Sequence, residues 1–246
     1  MIRSAILVDG GFYRRRAQFL WGEKCSKDRA DELIWYCRKH LFIHGNECEL
    51  YRIFYYDCPP MSKKMRHPLS GELIDFEKTD LYTWTTEFLN ELRKKRKVAL
   101  RLGTLAEAQA HFNIDPQVTK KLCNSTMQWG DLTKDDFKLD VKQKGVDMKI
   151  GIDIASLAYK KQVDQIVLIS ADSDFVPASK LARREGIDFI LDPMWATIKP
   201  ELHEHIDGLR SGVKNPDTIN NDSVKLYTPK RSIDRYRSRT KDKKRQ

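Results

Sequence analysis

The chain has 246 residues, enough for one large domain or one domain with additions. Apolar residues make up 40%, so a core can form, yet no apolar run approaches the roughly 18 residues of a membrane span, which excludes a membrane helix. The net charge of +10 is concentrated: residues 225–246 carry +8 and the other 224 only +2, so a basic stretch suited to nucleic-acid phosphates follows a nearly neutral body.

Residues 2–8 (IRSAILV) read as a buried strand ending at Asp9, where Gly10 and Gly11 turn the chain. The continuous apolar stretch before Asp9, Ala5 to Val8, is four residues, too short for a signal-peptide core. The five cysteines (25, 37, 48, 58, 123) form no CxxC pair. Both features point to reduced thiols and a cytoplasmic setting. Residues 28–42 place Leu33, Ile34, Cys37, Leu41 and Phe42 at helical spacing. Residues 49–56 (ELYRIFYY) are rich in β-formers and stop at Pro59 and Pro60; strand alternation puts Tyr51, Ile53 and Tyr55 on one side, toward the core. Lys63, Lys64, Arg66 and His67, set among prolines 59, 60 and 68, read as a long loop of the kind that carries binding groups.

Residues 80–95 form a helical stripe through Leu81, Trp84, Phe88, Leu89 and Leu92, and residues 98–102 a third strand. Residues 107–130 show little pattern and read as part of an insertion spanning about 58–136. A short strand or extended lead-in at 137–141 precedes a helix at 146–160, with Ile150, Ile154, Leu157 and Ala158 inward. Then come a strand at 165–169, a helix at 175–185 closed by Gly186, a strand at 187–191 and a short helix at 200–209. Residues 1–212 thus make one domain, and 213–246 are expected to be a basic, disordered tail. Strands alternating with helices imply an α/β three-layer sandwich with a mostly parallel central sheet. Ligands of such sheets bind outside the carboxyl ends of the strands.

Acids gather at those ends. VDGG supplies Asp9, KGVDMKIGID supplies Asp147 and Asp153, and SADSDF supplies Asp172 and Asp174. Like charges held together repel, and burial worsens it, so a helix N-terminus or a cation must offset the cost. Magnesium is a hard cation that takes carboxylate oxygens and keeps several waters. Such an ion activates water and offsets charge on phosphoryl oxygens, which is what phosphodiester hydrolysis needs. Each acid also has a plainer role. Asp9 could hold its turn, and Asp147 could favour the first turn of its helix. Asp172 or Asp174 could cap the helix that follows; Asp174 suits cap and ligand equally, and Asp172 is the better ligand, because one cap suffices. Asp153 lies six residues past Asp147, about 120° around the helix, so it serves as a supporting residue. Arg14, Arg15, Arg16, Lys144 and Lys149 flank these segments and could grip a nucleic-acid backbone, or simply solvate helix faces. His203 and His205 have no third ligand near in sequence and read as surface residues; no GxSxG, HExxH, P-loop or GxGxxG occurs.

AILVDGGFY, KGVDMKIGIDIASLAY and DQIVLISADSDFVPASKLARREGIDFIL together resemble NYN domains, in particular the LabA-like branch. The resemblance covers residues 2–20, 50–57 and 137–192, and the pairing of KGVD with SADSDF carries most of it. It implies a PIN-like nuclease fold with a Rossmann-like sheet and a divalent-metal ribonuclease. Mg2+ or Mn2+ would sit on Asp9, Asp147 and Asp172, with Asp174 in the catalytic set and Ser170 supporting it. One position departs: Phe12 stands where many family members carry Asn. The expected activity is endoribonucleolytic, with RNA as partner, DNA and self-association left open, and no membrane. The alternative is an inactive NYN-fold module that binds RNA or regulates.

Overall fold

The computed structural model describes residues 1–43 and 46–214. The basic tail, from residue 215 on, lies outside the described residues. Six strands form one sheet: β1 (Arg3–Asp9), β2 (Glu49–Asp57), β3 (Val98–Leu102), β4 (Gln165–Ile169), β5 (Asp188–Asp192) and β6 (Gly208–Leu209). They lie in the order β3-β2-β1-β4-β5-β6, and every neighbouring pair is parallel. The helices are α1 (Gly10–Trp21), α2 (Ser26–Lys39), α3 (Asp80–Lys94), α4 (Pro116–Cys123), α5 (Val146–Tyr159), α6 (Val176–Arg184) and α7 (Pro200–Glu204). This is the α/β sandwich expected from the alternating pattern. The chain winds outward from β1 to β3, then returns through α5 to place β4 beside β1. Where strand order reverses, a crevice opens between the carboxyl ends of β1 and β4.

The central strands explain why these residues form this sheet. Ala5 to Val8 and Ile166 to Ile169 are all fully buried. Continuous apolar runs, rather than alternation, mark strands covered on both faces. Ala5, Leu7, Ile166 and Leu168 pack with Ile150, Ile154 and Leu157 of α5. Ile6, Val8, Val167 and Ile169 pack on the other face with Tyr13 of α1, Leu33 of α2 and Phe88 of α3. Each such aliphatic side chain contributes about 1.5–3 kcal/mol on burial.

Four local expectations are corrected. Gly10 and Gly11 do not end in a turn; they begin α1, because Asp9 caps it. Tyr51 does not share a face with Ile53 and Tyr55. The register between β1 and β2 shifts there, so Tyr51 packs with the α5 side while the other two face α1–α3. The weakly patterned region holds α4 and a strand, His111–Ile114, paired antiparallel with Phe137–Asp140. The proline-rich segment is not an open loop. Lys64–Arg66 pairs with Leu73–Asp75, and His67 is buried against the rings of Phe112 and Phe137, each 5.2 Å away. Strands of three or four residues with distant partners leave almost no periodic signal, which is why these elements escape a pattern reading. Among the described residues no helix is long and apolar enough to cross a membrane, and no cysteine is disulfide-bonded.

Candidate active site

Asp9 ends β1. Its Oδ1 accepts the Phe12 amide at 3.0 Å, which caps α1. Its Oδ2 accepts the Ser170 hydroxyl at 3.2 Å. Gly10 is required beside it, because a Cβ there would stand 2.5 Å from the Tyr55 ring and 2.6 Å from the Tyr56 carbonyl oxygen. Ser170 lies buried one residue past β4, and its Oγ also accepts the Asp172 amide at 3.3 Å. One hydroxyl therefore ties together the two strand ends that flank the crevice.

Asp172 Oδ1 accepts the Asp174 amide at 3.0 Å and caps a single 3-10 turn, Ser173–Phe175, that precedes α6. Asp172 rather than Asp174 is the cap, and the Asp174 carboxylate accepts no hydrogen bond among the described residues. The extra turn causes this, since it moves the start of the helical segment back by two residues. Asp147 sits in the first turn of α5, after Gly145 at φ 79°. Burial, followed by the charges of Asp172 and Asp174, pushes the Asp147 carboxyl above its ordinary range. Burial also raises Asp9, with Asp147 adding to the rise, against the opposing Phe12 amide and Ser170 hydroxyl. Acids from β1, α5 and the β4–α6 connection thus feel one another. A cleft of about 310 Å³ lies here, lined by Asp9, Phe12, Arg15, Ser170, Asp172 and Lys199 among others.

The other candidates divide. Asp153 stands apart: its Oδ2 accepts from Tyr56 Oη at 2.8 Å and Arg101 Nε at 2.9 Å, tying α5 to β2 and β3. Arg14 is committed to the buried Asp57, with Nη2 3.1 Å from both carboxylate oxygens. Arg16 donates to the Met194 carbonyl at 2.6 and 3.1 Å. Only Arg15 of the basic triplet lines the cleft. Lys144 is exposed in a short ribbon before α5, and neither it nor Lys149 lines the cleft. Sequence reasoning missed Lys199, which follows an irregular loop and has no pattern to mark it. It also passed over Asp57 and Asp192, which end β2 and β5 just as Asp9 ends β1 and which the same strand-end rule would have found.

Among the described residues, no three His, Cys, Asp or Glu side chains stand close enough together to hold one ion. The donor set still suits a hard divalent cation: carboxylate and hydroxyl oxygens surround the cleft, with no thiol or imidazole lining it. Magnesium needs only one or two carboxylates, the rest of its shell being water and substrate oxygens. None of Asp9, Asp147, Asp172 and Asp174 is in an ion pair among the described residues.

A family model for the NYN domain matches residues 73–203, more than half of the chain. The chain belongs to the NYN domain family. That family is in general one of nucleases with a PIN-like fold, and the parallel sheet of this chain agrees with that fold. The matched stretch holds Asp147, Asp172 and Asp174 and runs through residues 73–136 as well. The chain is similar to an uncharacterized protein of Methanocaldococcus jannaschii, 23% identical over 123 residues, which are 49% of this chain and 48% of that protein. It therefore spans about half the length of the curated relative it matches. A crystal structure of a protein of unknown function from Vibrio parahaemolyticus aligns with a TM-score of 0.41 at 13% identity, over 85% of this chain and 91% of that one.

Proposed function

We propose that this NYN domain, LabA-like in its KGVD and SADSDF motifs, is a Mg2+- or Mn2+-dependent endoribonuclease. One observation carries the reading: acids from β1, α5 and the β4–α6 connection converge on the crevice at the strand-order reversal, and none of them is in an ion pair among the described residues. Asp9 and Asp172, which line the cleft, would supply the one or two carboxylates the ion needs, Asp172 through the oxygen that does not cap the 3-10 turn, with water completing the shell and Asp147 adding negative charge beside it. A bound divalent ion would supply a more acidic water and neutralise charge on the phosphate. Ser170 fixes the Asp9 carboxylate, and with it the spacing between the β1 and β4 ends. Asp174, whose carboxylate accepts no hydrogen bond among the described residues, would take the proton of the attacking water as its oxygen bonds to phosphorus. The opposite P–O bond breaks, and its oxygen leaves with a proton from solvent.

The test is cleavage of a single-stranded RNA with magnesium, against the same reaction in EDTA and against Asp172→Asn. Equal cleavage by variant and parent sinks the proposal. Phe12 and the lack of a three-acid cage favour a second reading, an RNA-binding module without hydrolysis. Calorimetry decides between them: that module binds RNA in EDTA and cleaves nothing when magnesium is added. A parallel DNA substrate tests the preference for RNA, which contacts to the 2′-hydroxyl would create.

A further inference from the structure

β5 leads into the irregular segment 193–199 before α7. Two of its residues, Met194 (φ 46°) and Trp195 (φ 63°), are left-handed without being glycine. Such conformations are strained and persist only where the surroundings over-determine them. The surroundings do so here. The Met194 amide donates to Asp192 Oδ1 at 2.7 Å. The Met194 carbonyl accepts both Arg16 bonds. The Trp195 indole donates to the Val213 carbonyl at 3.0 Å.

This pinned loop delivers Lys199 to the cleft, where its Nζ donates to Ser173 Oγ at 3.1 Å, next to Asp172. On the other wall, a methyl added to Gly11 would lie 3.6 Å from Asp9 Oδ1 and 3.9 Å from Arg15 Nη1, so that guanidinium and carboxylate flank one glycine. Arg15 and Lys199 are in no ion pair among the described residues, whereas Arg14 is spent on Asp57 and Arg16 on Met194. Two cations without an ion-pair partner among the described residues therefore line an acid-bearing cleft. Its acids repel a phosphate, and something besides the ion must draw the backbone in.

We infer that Lys199 and Arg15 clamp the scissile phosphodiester of a single-stranded nucleic acid from opposite walls of this cleft. The inference rests on the nuclease reading for the word scissile, and on geometry alone for the clamp. Arg15 offers a planar pair of donors for two phosphate oxygens, and Lys199 a compact charge that would exchange the Ser173 hydroxyl for phosphate.

The experiment measures binding of a fluorescent RNA oligonucleotide to the full chain in EDTA across a salt series. Lys199→Met, Lys199→Arg, Arg15→Met and, as a control on α6, Lys180→Met are compared with the parent, each checked for an unchanged melting temperature. Lys199→Met and Arg15→Met should each flatten the slope of log affinity against log salt by about 0.7, the amount lost per single-strand phosphate contact. Lys199→Arg should restore the slope, and Lys180→Met should leave it alone. Parental slopes in both Met variants overturn the clamp, even if the parent cleaves. A clamp-dependent slope in a parent that does not cleave with magnesium supports the clamp and sinks the nuclease reading.

Discussion

Three acids on or beside the strand ends are neutralised within the fold, and four at the crevice are not. Asp57 receives Arg14, the Tyr55 hydroxyl at 3.0 Å and the Cys58 amide at 2.8 Å. Asp192, fully buried, receives the Tyr36 hydroxyl at 2.5 Å, a His40 ring nitrogen at 2.7 Å and the Met194 amide. Asp153 receives Tyr56 and Arg101. Asp9, Asp147, Asp172 and Asp174 receive only a backbone amide or a serine hydroxyl, or nothing, and two of them are raised by burial and by one another. A buried acid must be paired or it destabilises the fold. Acids left unpaired at a cleft are therefore better explained by what they bind than by what they stabilise.

Removing a partner from the paired set should have the largest effect. Asp192→Ala strands His40 and Tyr36 in the core and should cost about 3–5 kcal/mol, seen as a lower urea midpoint at unchanged slope. A midpoint equal to the parent's would erase the contrast between the two sets. Next comes the unpaired set. Asp147→Asn should slow magnesium-dependent RNA cleavage by about a hundredfold, the scale for losing one charge-handling group, while the urea midpoint holds or rises. A variant that loses stability instead would move Asp147 into the structural class. Arg101→Met should cost only about 1 kcal/mol, because Arg101 is partly exposed and Tyr56 remains on Asp153.

The smallest effect is the most specific. Asp9 has a folded pKa above its ordinary 3.8, so the folded state holds the proton more tightly than the unfolded chain. Its contribution is most favourable below pH 3.8 and is lost as pH rises through the raised value. In EDTA, Asp9→Asn should therefore melt above the parent at neutral pH, with the gap closing on acidification. Magnesium should close it from the other side by stabilising the parent. A gap independent of pH would assign Asp9 to the capping of α1 alone.

Parallel strands place all their carboxyl ends on one edge, so acids that follow apolar runs, such as Asp9 and Asp172, are legible in sequence as neighbours even 163 positions apart. The nature of the sheet was readable for the same reason: SAILV and QIVLI are apolar on both faces. Which acid caps and which stays free was not readable, because one extra 3-10 turn decides it. The arginine triplet shows a related limit. About 100° of helix rotation per residue sends Arg14 to Asp57, Arg15 to the cleft and Arg16 to Met194, and only the neighbouring strands say which direction is which. Local order, burial and the common edge of the acids follow from side-chain chemistry along the chain. The pairing of Asp57, Asp153 and Asp192, and the arrival of Lys199 beside Asp172, are contacts between segments far apart in sequence, and only the folded sheet and its strained loop create them.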